Sequence, residues 1–528
     1  MTNENYPLYT IEKLNNLKEL VNYSAATYGD LPAFIFEQKE KIVSTSYNQF
    51  KMDIEALGTA LLDMGLRDSK VAVIGENSYE WILTYFAVVN SGNIVLPLDK
   101  ELPVLNIRSL INHSGADVLV FSDAFVDIAT HLQGIETTIK HYININDLPE
   151  LVTRGNLLIQ NNEKTIVNYQ VDDNALATMI YTSGTTGVAK GVMLSHKNIA
   201  SNAVGASQTI LLPDSSLLVL PLHHSFAFTA SVLTTLIQGC SIAINHSLKT
   251  LQSDIIKYKP RNLIMVPLFI ETLYKQIKGA AGKNNDKENL SKIAKHVFGD
   301  NLAIIVSGGA PIDKKYIIGF KEFGILVLEG YGITECSPII SVNRNQYYNV
   351  GSVGQVIPTC KVKILNPDES GHGEICVNGD IVMIGYYNNE LATEEAFEDE
   401  WFKTGDIGYL DKDGFLFISG RKKNLIILSN GKNVYPEELE FDILNHMPYV
   451  KETVVYADNN KIVAEMFLDI TDNPDIDVQI DGDIARLNEI LPYYKNIDKI
   501  VIRKTEFQKT TTKKIMRQYK DTEGEGND

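Results

Sequence analysis

The chain has 528 residues, of which 44% are hydrophobic and 22% are charged. This length predicts about three or four structural units, and the composition is too apolar for a largely disordered protein. The 66 acidic residues outnumber the 48 basic ones, for a net charge of −18, so the surface as a whole repels nucleic-acid backbones and anionic lipid. These values exclude a small binding module and a general nucleic-acid-binding protein.

The cysteines and the amino terminus both bear on the cellular compartment. The four cysteines lie far apart with no C-x-x-C spacing, so we expect neither a disulfide framework nor a zinc knuckle. Residues 1–16 contain no apolar run followed by small residues, so we expect no secretory signal peptide. Together these features predict a cytoplasmic protein.

Apolar runs of strand length alternate with segments of helical period along most of the chain. Runs at 71–76 and 93–99 flank a helical segment at 77–92, and the alternation returns at 262–277 and 302–320. Near-continuous Val and Ile runs are typical of parallel strands that helices cover on both faces. The sequence therefore predicts the α/β class, with two parallel-type α/β subdomains in a large N-terminal domain.

One segment, 215–248, contains no Asp, Glu, Lys or Arg. Pro221, His223, His224 and Gly239 divide it into pieces shorter than the roughly 20 apolar residues that a membrane span needs. We therefore expect a buried strand and a core helix here. For the protein as a whole we expect at most peripheral contact with membranes.

The pattern changes after about residue 350, where short alternating strands are separated by glycines. This texture predicts a small β-barrel-like subdomain at about 350–420, with a turn at Asp411–Gly414. A charged run at 421–424 then precedes a compact α+β segment. We predict an N-terminal domain at 1–421 and a mobile α+β C-terminal domain at 422–528, which ends in a disordered acidic tail.

The strongest local pattern is MIYTSGTTGVAKGVMLSHKNIASN at 179–202. It predicts a strand, a loop, a second short strand and then a helix that Ser195 caps. Gly184 and Gly187 allow backbone N–H groups to face an anion, while the hydroxyl groups and Lys190 add donors and charge. The spacing is not that of a Walker A motif. By composition alone, a surface hairpin loop explains the segment equally well.

Four further segments follow this loop along the chain. They are EGYGITECSP (329–338), WFKTGDIGYLDKDG (401–414), GRKKNLIILSNGKNVYPEELE (420–440) and EFQKTTTKKIMR (506–517). Together the five segments resemble the motifs of the adenylate-forming superfamily in order and spacing. That superfamily includes acyl-CoA synthetases, luciferases and the adenylation domains of peptide synthetases. The resemblance covers most of the chain, and PLHHSFAFT at 221–229 is similar to the long-chain acyl-CoA synthetase branch.

The resemblance implies an ATP site. Tyr331 would stack on adenine, Thr334 would bond the α-phosphate, and Glu335 would hold Mg²⁺, a hard cation that prefers carboxylate and phosphate oxygens. Asp406 would accept hydrogen bonds from both ribose hydroxyl groups, with Arg421 as a second contact. The remaining implied contacts are the phosphate loop, made of Thr182, Ser183, Gly184, Thr185, Thr186, Gly187 and Lys190, and the adenine-side wall, made of Gly309 and Ala310.

The resemblance also implies a catalytic lysine and a hinge in the C-terminal domain. Lys514 matches the lysine that meets the substrate carboxylate and the α-phosphate. Two residues of the usual motif are replaced here, so Lys509 and Lys513 are also candidates by composition. Lys423 would act as the hinge, and the loop around Gly431 would approach the thiol.

The acid would bind near His224, where relatives carry a histidine beside the reacting carboxylate. A lone histidine in an apolar run is otherwise more often a core residue. In acetate-using relatives a tryptophan blocks the pocket at the position of Gly332, and the two tryptophans of this chain lie elsewhere. We therefore expect a deep channel for a medium or long acyl chain, although an aryl acid is an alternative. Its expected lining is His223, Phe226, Phe228, Gly308, Gly332 and Cys336.

The implied function is ATP-dependent conversion of a carboxylic acid to acyl-AMP, followed by transfer to the thiol of CoA. ATP, Mg²⁺ and CoA would be its cofactors and co-substrates, and the acid its small-molecule partner. Two alternatives are a ligase that loads an acyl carrier protein and a catalytically silent nucleotide-binding relative. An acidic carrier suits this acidic chain less well than CoA does. The intact set of Glu335, Asp406 and Lys514 argues against a silent relative.

Overall fold

The computed structural model describes residues 7–161, 165–182, 189–245, 247–282, 286–428, 432–459, 461–469, 476–509 and 515–517. The chain divides into two units. The first comprises 1–363, 376–404 and 410–417, and the second comprises 364–375, 405–409 and 418–528.

Helices and strands are distributed over the described residues of both units. The helices are α1 (Leu17–Tyr28), α2 (Tyr47–Asp63), α3 (Tyr79–Asn90), α4 (Val104–Ser114), α5 (Val126–Gln133), α6 (Leu148–Gln160), α7 (Thr165–Asn168), α8 (His196–Thr209), α9 (Ser225–Phe228), α10 (Thr234–Ile237), α11 (Leu251–Tyr258), α12 (Pro267–Ala281), α13 (Lys287–Phe298), α14 (Lys314–Glu322), α15 (Glu390–Ala396), α16 (Pro436–His446) and α17 (Ile476–Ile490). The strands are β1 (Pro32–Gln38), β2 (Lys41–Ser46), β3 (Lys70–Ile74), β4 (Ile94–Pro97), β5 (Val118–Phe121), β6 (His141–Asn144), β7 (Leu176–Thr182), β8 (Lys190–Ser195), β9 (Ser215–Leu218), β10 (Ser241–Ile244), β11 (Asn262–Met265), β12 (Ile304–Ser307), β13 (Leu326–Gly332), β14 (Ile339–Val342), β15 (Gln355–Val356), β16 (Cys360–Leu365), β17 (Gly373–Gly379), β18 (Gly385–Tyr386), β19 (Phe397–Glu398), β20 (Trp401–Leu410), β21 (Leu416–Arg421), β22 (Ile426–Ile427), β23 (Asn433–Val434), β24 (Val450–Asp458), β25 (Lys461–Leu468) and β26 (Lys499–Arg503).

One sheet of the first unit has the strand order β18-β8-β7-β4-β3-β5-β6. Strands β4, β3, β5 and β6 pair in parallel, as their continuous apolar runs predict. Ile107 and Ile111 of α4 pack against Leu96 and Leu119 of this sheet. Strand β7 continues the parallel set beside β4, and β8 and β18 add antiparallel pairings beyond it. The predicted phosphate-loop hairpin therefore lies at one side of a parallel sheet.

A second sheet of this unit has the order β15-β14-β13-β12-β11-β9-β10-β1-β2. Strands β10, β9, β11, β12 and β13 are parallel neighbours. Helices α12 and α14 cover it, with Ile270 and Phe320 in one core with Leu263 and Ile305. Because β12 and β13 are parallel and in register, their carboxyl ends lie side by side and lead into the two segments expected to surround adenine.

The uncharged segment 215–248 folds as predicted, into buried strands and a core helix. Strands β9 and β10 flank α9, a π-helical turn at Thr229–Leu233 and α10. The residues of that turn are all buried. Single π turns inside helices occur often at functional sites. In the described parts of the chain, no helix has both the length and the apolar character that crossing a membrane requires.

Short strands succeed one another from β16 to β21, as the glycine-rich pattern predicts. The predicted turn at Asp411–Gly414 is confirmed, since the Gly414 N–H group donates to the Asp411 carbonyl oxygen at 3.1 Å. Gly414 has a φ of +78°, which a residue with a side chain adopts at a cost.

The second unit contains a sheet with the order β24-β25-β26. Leu439 and Ile443 of α16 and Ile484 and Leu487 of α17 form its core with residues of the sheet. The predicted mixed α/β class is thus confirmed, with an α+β C-terminal part. The domain boundary at 421, the swivelling motion and the disordered tail stay predictions, and residues 518–528 lie outside the described ones.

Candidate functional site

The hairpin of β7 and β8 carries the ends of the predicted phosphate loop. Thr182 stands opposite Lys190 in the antiparallel register. The Ser195 hydroxyl accepts a hydrogen bond from the Asn198 N–H group at 3.1 Å, and the Asn198 side chain accepts one from the Ser195 N–H group at 2.8 Å. The predicted cap of α8 is therefore confirmed. The predicted loop residues Ser183, Gly184, Thr185, Thr186 and Gly187 lie outside the described residues.

Glu335 and Lys190 both contact one tyrosine that sequence reasoning missed. The Tyr386 hydroxyl donates a hydrogen bond to Oε1 of Glu335 at 2.9 Å, and Nζ of Lys190 lies 4.8 Å from the centroid of the Tyr386 ring. Burial, and next the charge of Glu335, raise the pKa of the Tyr386 hydroxyl. Gly385-Tyr386 carries no charge pattern that marks it in the sequence, so only the fold brings these three side chains together.

The turn that carries Thr334 and Glu335 is anchored by the fully buried Asn202. Its amide group donates to the carbonyl oxygens of Cys336 and Ile339 at 2.9 and 2.7 Å, and its side-chain oxygen accepts from the Ile339 N–H group at 3.1 Å. Such a closed set of hydrogen bonds fixes the turn before any ligand arrives. The Thr334 hydroxyl lies 3.1 Å from that of Ser225.

Tyr331 is half-buried near the end of β13, where it pairs with Ser341 of β14. Gly309 and Ala310 are exposed just after β12, and the φ of +82° at Gly309 favours glycine there. These positions allow the predicted adenine contacts, which stay predictions. Gly332 is closely packed, because a Cβ atom added there would lie 1.9 Å from the Pro338 carbonyl oxygen.

The two histidines of the predicted acid site differ in their surroundings. His224 is half-buried just before α9, whereas His223 is buried with its Nε2 atom 3.4 Å from Oδ1 of Asp99. Burial, and next the neighbouring His224, lower the pKa of the His223 imidazole. A neutral His223 is therefore expected at neutral pH, in agreement with its predicted role as a lining residue.

A small cavity lies beside His223, and its lining is mainly apolar. Phe228 forms one wall and packs on Tyr85, with ring centroids 3.9 Å apart. Phe226 lies against Gly308, where an added Cβ atom would approach its ring to 2.6 Å. Cys336 is fully buried. Of the six residues predicted to line the acid site, His223 and Phe228 line this cavity, whereas Phe226, Gly308, Gly332 and Cys336 do not. The cavity lining is Tyr85, Pro97, Ile180, Leu194, Ile199, Leu222, His223, Ser225, Phe228, Thr229 and Ser337.

In the second unit, the predicted ribose residues are already paired. Nε of Arg421 lies 2.8 Å from Oδ1 of the buried Asp406. Arg421 holds the Asp406 carboxylate in one orientation. A carboxylate held in this way is suited to accept hydrogen bonds from the two ribose hydroxyl groups. Burial, and next the charges of Arg421 and Arg517, lower the pKa of Lys423. The predicted residues Gly431 and Lys514 lie outside the described residues.

The chemistry of the donor set around Glu335 is compatible with Mg²⁺. Within the described ranges, no group of three or more His, Cys, Asp or Glu residues is placed to hold a metal ion. Mg²⁺ is commonly held by one or two carboxylates together with substrate phosphates and water. A single carboxylate that a tyrosine orients fits that pattern.

None of the four cysteines forms a disulfide, and all four are buried.

Glu329 is a buried carboxyl group on β13, two residues before Tyr331. Its side chain is 8% exposed and its Oε2 atom has no hydrogen-bond partner. Burial raises the pKa of Glu329 to about 8, although backbone N–H groups of Gly351 and Ile312 and the charge of Lys314 oppose the shift. The folded protein therefore keeps a proton at neutral pH that the unfolded chain releases.

We expect the contribution of Glu329 to the free energy of unfolding to fall as the pH rises from about 4.5 to about 8. In that window Glu329 is ionised in the unfolded state and still protonated in the folded state. Below the window both states are protonated and the full stability is present. Glu329→Gln removes the titrating group, so it should raise the melting temperature by about 2–4 °C more at pH 8 than at pH 5. Thermal unfolding at both pH values measures this, with the exposed Glu322→Gln as the matched control. Equal shifts at the two pH values would contradict the prediction.

A family model described as AMP-binding enzyme matches residues 21–387. The chain belongs to the AMP-binding enzyme family. The matched range contains the hairpin of β7 and β8, the Glu335 turn and Tyr386, and it ends one residue after that tyrosine. The predicted resemblance to the adenylate-forming superfamily is confirmed.

Curated relatives of this AMP-binding enzyme include Long-chain-fatty-acid–CoA ligase FadD15 of Mycobacterium bovis, with 28% identity over 87% of this chain and 86% of the relative. Another is the Long-chain-fatty-acid–CoA ligase of Salmonella typhimurium, with 29% identity over 82% of each chain. The predicted class, an acid–thiol ligase, is confirmed by the family and these relatives.

Solved structures confirm the fold of this AMP-binding enzyme. The anthranilate CoA ligase AuaEII in complex with anthranoyl-AMP has a TM-score of 0.77 at 20% identity, covering 98% of this chain and 97% of that one. The o-succinylbenzoate CoA synthetase of Bacillus subtilis, in complex with ATP and magnesium ion, has a TM-score of 0.73 at 24% identity, covering 94% and 98%.

Proposed function

We propose that the protein activates a medium- or long-chain carboxylic acid with ATP and transfers the acyl group to CoA. In the first step a carboxylate oxygen bonds to the α-phosphorus, the bond from that phosphorus to the bridging oxygen breaks, and pyrophosphate leaves. In the second step the sulfur of CoA bonds to the acyl carbon, AMP leaves, and the thiol proton passes to solvent. The relatives named above as fatty-acid–CoA ligases support this assignment.

The observation that carries the proposal is the 3.1 Å contact between the hydroxyl groups of Ser225 and Thr334. Ser225 lines the apolar cavity, and Thr334 precedes the candidate metal ligand. A carboxylate bound beside Ser225 would therefore stand next to the residue proposed to bind the α-phosphate.

The first step needs no general base, because a carboxylic acid is already ionised at neutral pH. It needs the two anions held in line and the growing charge on pyrophosphate neutralised. Lys190 would contribute charge on the side of the leaving group, and Thr334 would donate to the α-phosphate. Mg²⁺ bound to Glu335 would supply further neutralisation of the phosphates.

For the second step we propose a movement of the C-terminal domain about Lys423. The movement would withdraw Lys514 and bring the loop around Gly431 to the thiol. Conformational steps of this kind let one site carry out two reactions in turn. The exposed Lys423, close to Arg421, is compatible with a hinge at the start of that domain.

A series of straight-chain acids tests the proposed function. Pyrophosphate release with ATP, Mg²⁺ and CoA should rise by at least about tenfold from acetate to medium-length acids, because each buried methylene group contributes about 0.8 kcal/mol. Preference for acetate, or no substrate-dependent ATP–pyrophosphate exchange, would contradict it. Replacing CoA with an acyl carrier protein tests the alternative acceptor.

Gly308→Val gives that series a structural control. The added side chain would push into the Phe226 ring, which an extra Cβ atom already approaches to 2.6 Å. Because the resemblance places Gly308 and Phe226 along the acid channel, the variant should favour shorter acids than the unaltered protein does. Gly332 is unsuitable for this purpose, because its Cβ atom would meet backbone atoms that cannot move aside.

A further inference from the structure

Tyr386 lies at the meeting point of the two charged groups proposed to act on the phosphates. Its hydroxyl donates to Glu335 at 2.9 Å, while its ring faces the Lys190 ammonium group at 4.8 Å. A cation on an aromatic face and a carboxylate at a phenol are both favourable contacts. One side chain thus contacts both charges through different atoms.

The backbone fixes Tyr386 to the strand that carries Lys190. Strand β18 pairs with β8, with Tyr386 opposite Val192. The Ile384 N–H group donates to the Met193 carbonyl oxygen at 2.9 Å, and the Tyr387 N–H group donates to that of Gly191 at 2.8 Å. These hydrogen bonds fix the position of Tyr386 along strand β8.

A second group of hydrogen bonds ties the same segment to the Glu335 turn. The Met383 N–H group donates to the Glu335 carbonyl oxygen at 2.8 Å, and the Ser337 hydroxyl donates to the Ile381 carbonyl oxygen at 2.8 Å. The segment 381–387 therefore connects the two elements, and Tyr386 projects from it toward both charges.

We propose that Tyr386 is a positioning residue for the magnesium complex of ATP. This proposal rests on the proposed function. The Tyr386 hydroxyl holds one oxygen of Glu335 and thereby sets the orientation of the carboxylate plane toward the metal ion. Its ring at the same time gives the Lys190 ammonium group a neutral partner, so that this cation and the carboxylate need not pair with each other. Both charges then stay oriented toward the phosphates and the metal ion.

Calorimetric titration of the full chain with α,β-methylene-ATP tests the assignment, since this analogue releases no pyrophosphate. The ratio of the Kd measured in EDTA to the Kd in saturating MgCl₂ reports the gain from the metal ion. Tyr386→Phe keeps the ring and removes the hydroxyl, so it should lower this ratio by about three- to tenfold. The Kd in EDTA should not change, because the contact with Lys190 persists.

Tyr387→Phe is the matched control. It removes a hydroxyl from the adjacent residue, one that accepts a hydrogen bond from Lys70 at 2.8 Å and does not contact Glu335. Both Kd values should stay at their original levels. In a Glu335→Gln background, Tyr386→Phe should lower the ratio no further, because the carboxylate that the hydroxyl would orient for the metal ion is then absent.

An unchanged Kd ratio in Tyr386→Phe would overturn the assignment, whether both Kd values stay the same or both rise by the same factor. If the unaltered protein binds the analogue under neither condition, the proposed function fails as well, so the two failures are distinguishable. Should the variant not fold, 3-fluorotyrosine at position 386 keeps the hydroxyl. Its ¹⁹F resonance should move when MgCl₂ is added to the analogue complex but not in Glu335→Gln, and an unmoved resonance in the otherwise unaltered protein would overturn the assignment.

Discussion

Glu335→Gln is expected to lower the rate of ATP–pyrophosphate exchange by about 10²–10³-fold. Glutamine has nearly the same shape and still accepts the hydrogen bond from Tyr386, so the turn that Asn202 anchors should keep its geometry. The lost property is the negative charge that would hold Mg²⁺ on the phosphates. Exchange measured at several MgCl₂ concentrations, with the best acid of the chain-length series, checks this prediction.

The exposed Glu395→Gln makes the same chemical change on α15 of the same unit. It should leave both the exchange rate and its dependence on MgCl₂ as they are. Melting temperatures of both variants near that of the unaltered protein would show that the folds are intact. The role of Glu335 would be refuted if its variant kept more than about a tenth of the original exchange rate at saturating MgCl₂.

Lys514→Ala is expected to reduce adenylate formation by about 10²–10³-fold while largely preserving thioester formation from a synthetic acyl-adenylate. The first step brings two anions together and needs the cation, whereas the second starts from a neutral acyl carbon and releases AMP without it. Pyrophosphate exchange measures the first step, and the release of AMP from acyl-adenylate and CoA measures the second. Equal loss of both activities would refute the assignment.

Lys509→Ala is the control for this variant, because composition alone leaves Lys509 as a rival to Lys514. Nζ of Lys509 pairs with Glu506 at 2.8 Å and also with Glu452. These two hydrogen bonds, that of Glu452 first, raise the pKa of Lys509. A lysine held by two carboxylates is poorly placed to bind a phosphate, so this variant should retain adenylation. Loss of adenylation in the Lys509→Ala variant would instead assign the catalytic role to Lys509.

Several features of the molecule could be predicted from short stretches of sequence. The Ser195 cap, the Asp411–Gly414 turn and the interrupted segment 215–248 each depend on residues close together in the chain. Backbone conformation and hydrogen bonds within a few residues decide such features, so the local pattern contains the necessary information. The order of the motifs likewise predicted the superfamily and its fold.

The tertiary structure alone decided which distant side chains meet. Tyr386 and Glu335 are 51 residues apart and Asn202 and Ile339 are 137 apart, and no local pattern pairs them. Their contacts depend on the pairing of β18 with β8 and on how the two large sheets bury their apolar faces. The sequence by itself therefore determined the kinds of chemical group and the order of the elements. Strand register and core packing determined which groups face each other, since both are set by interactions summed over the whole unit.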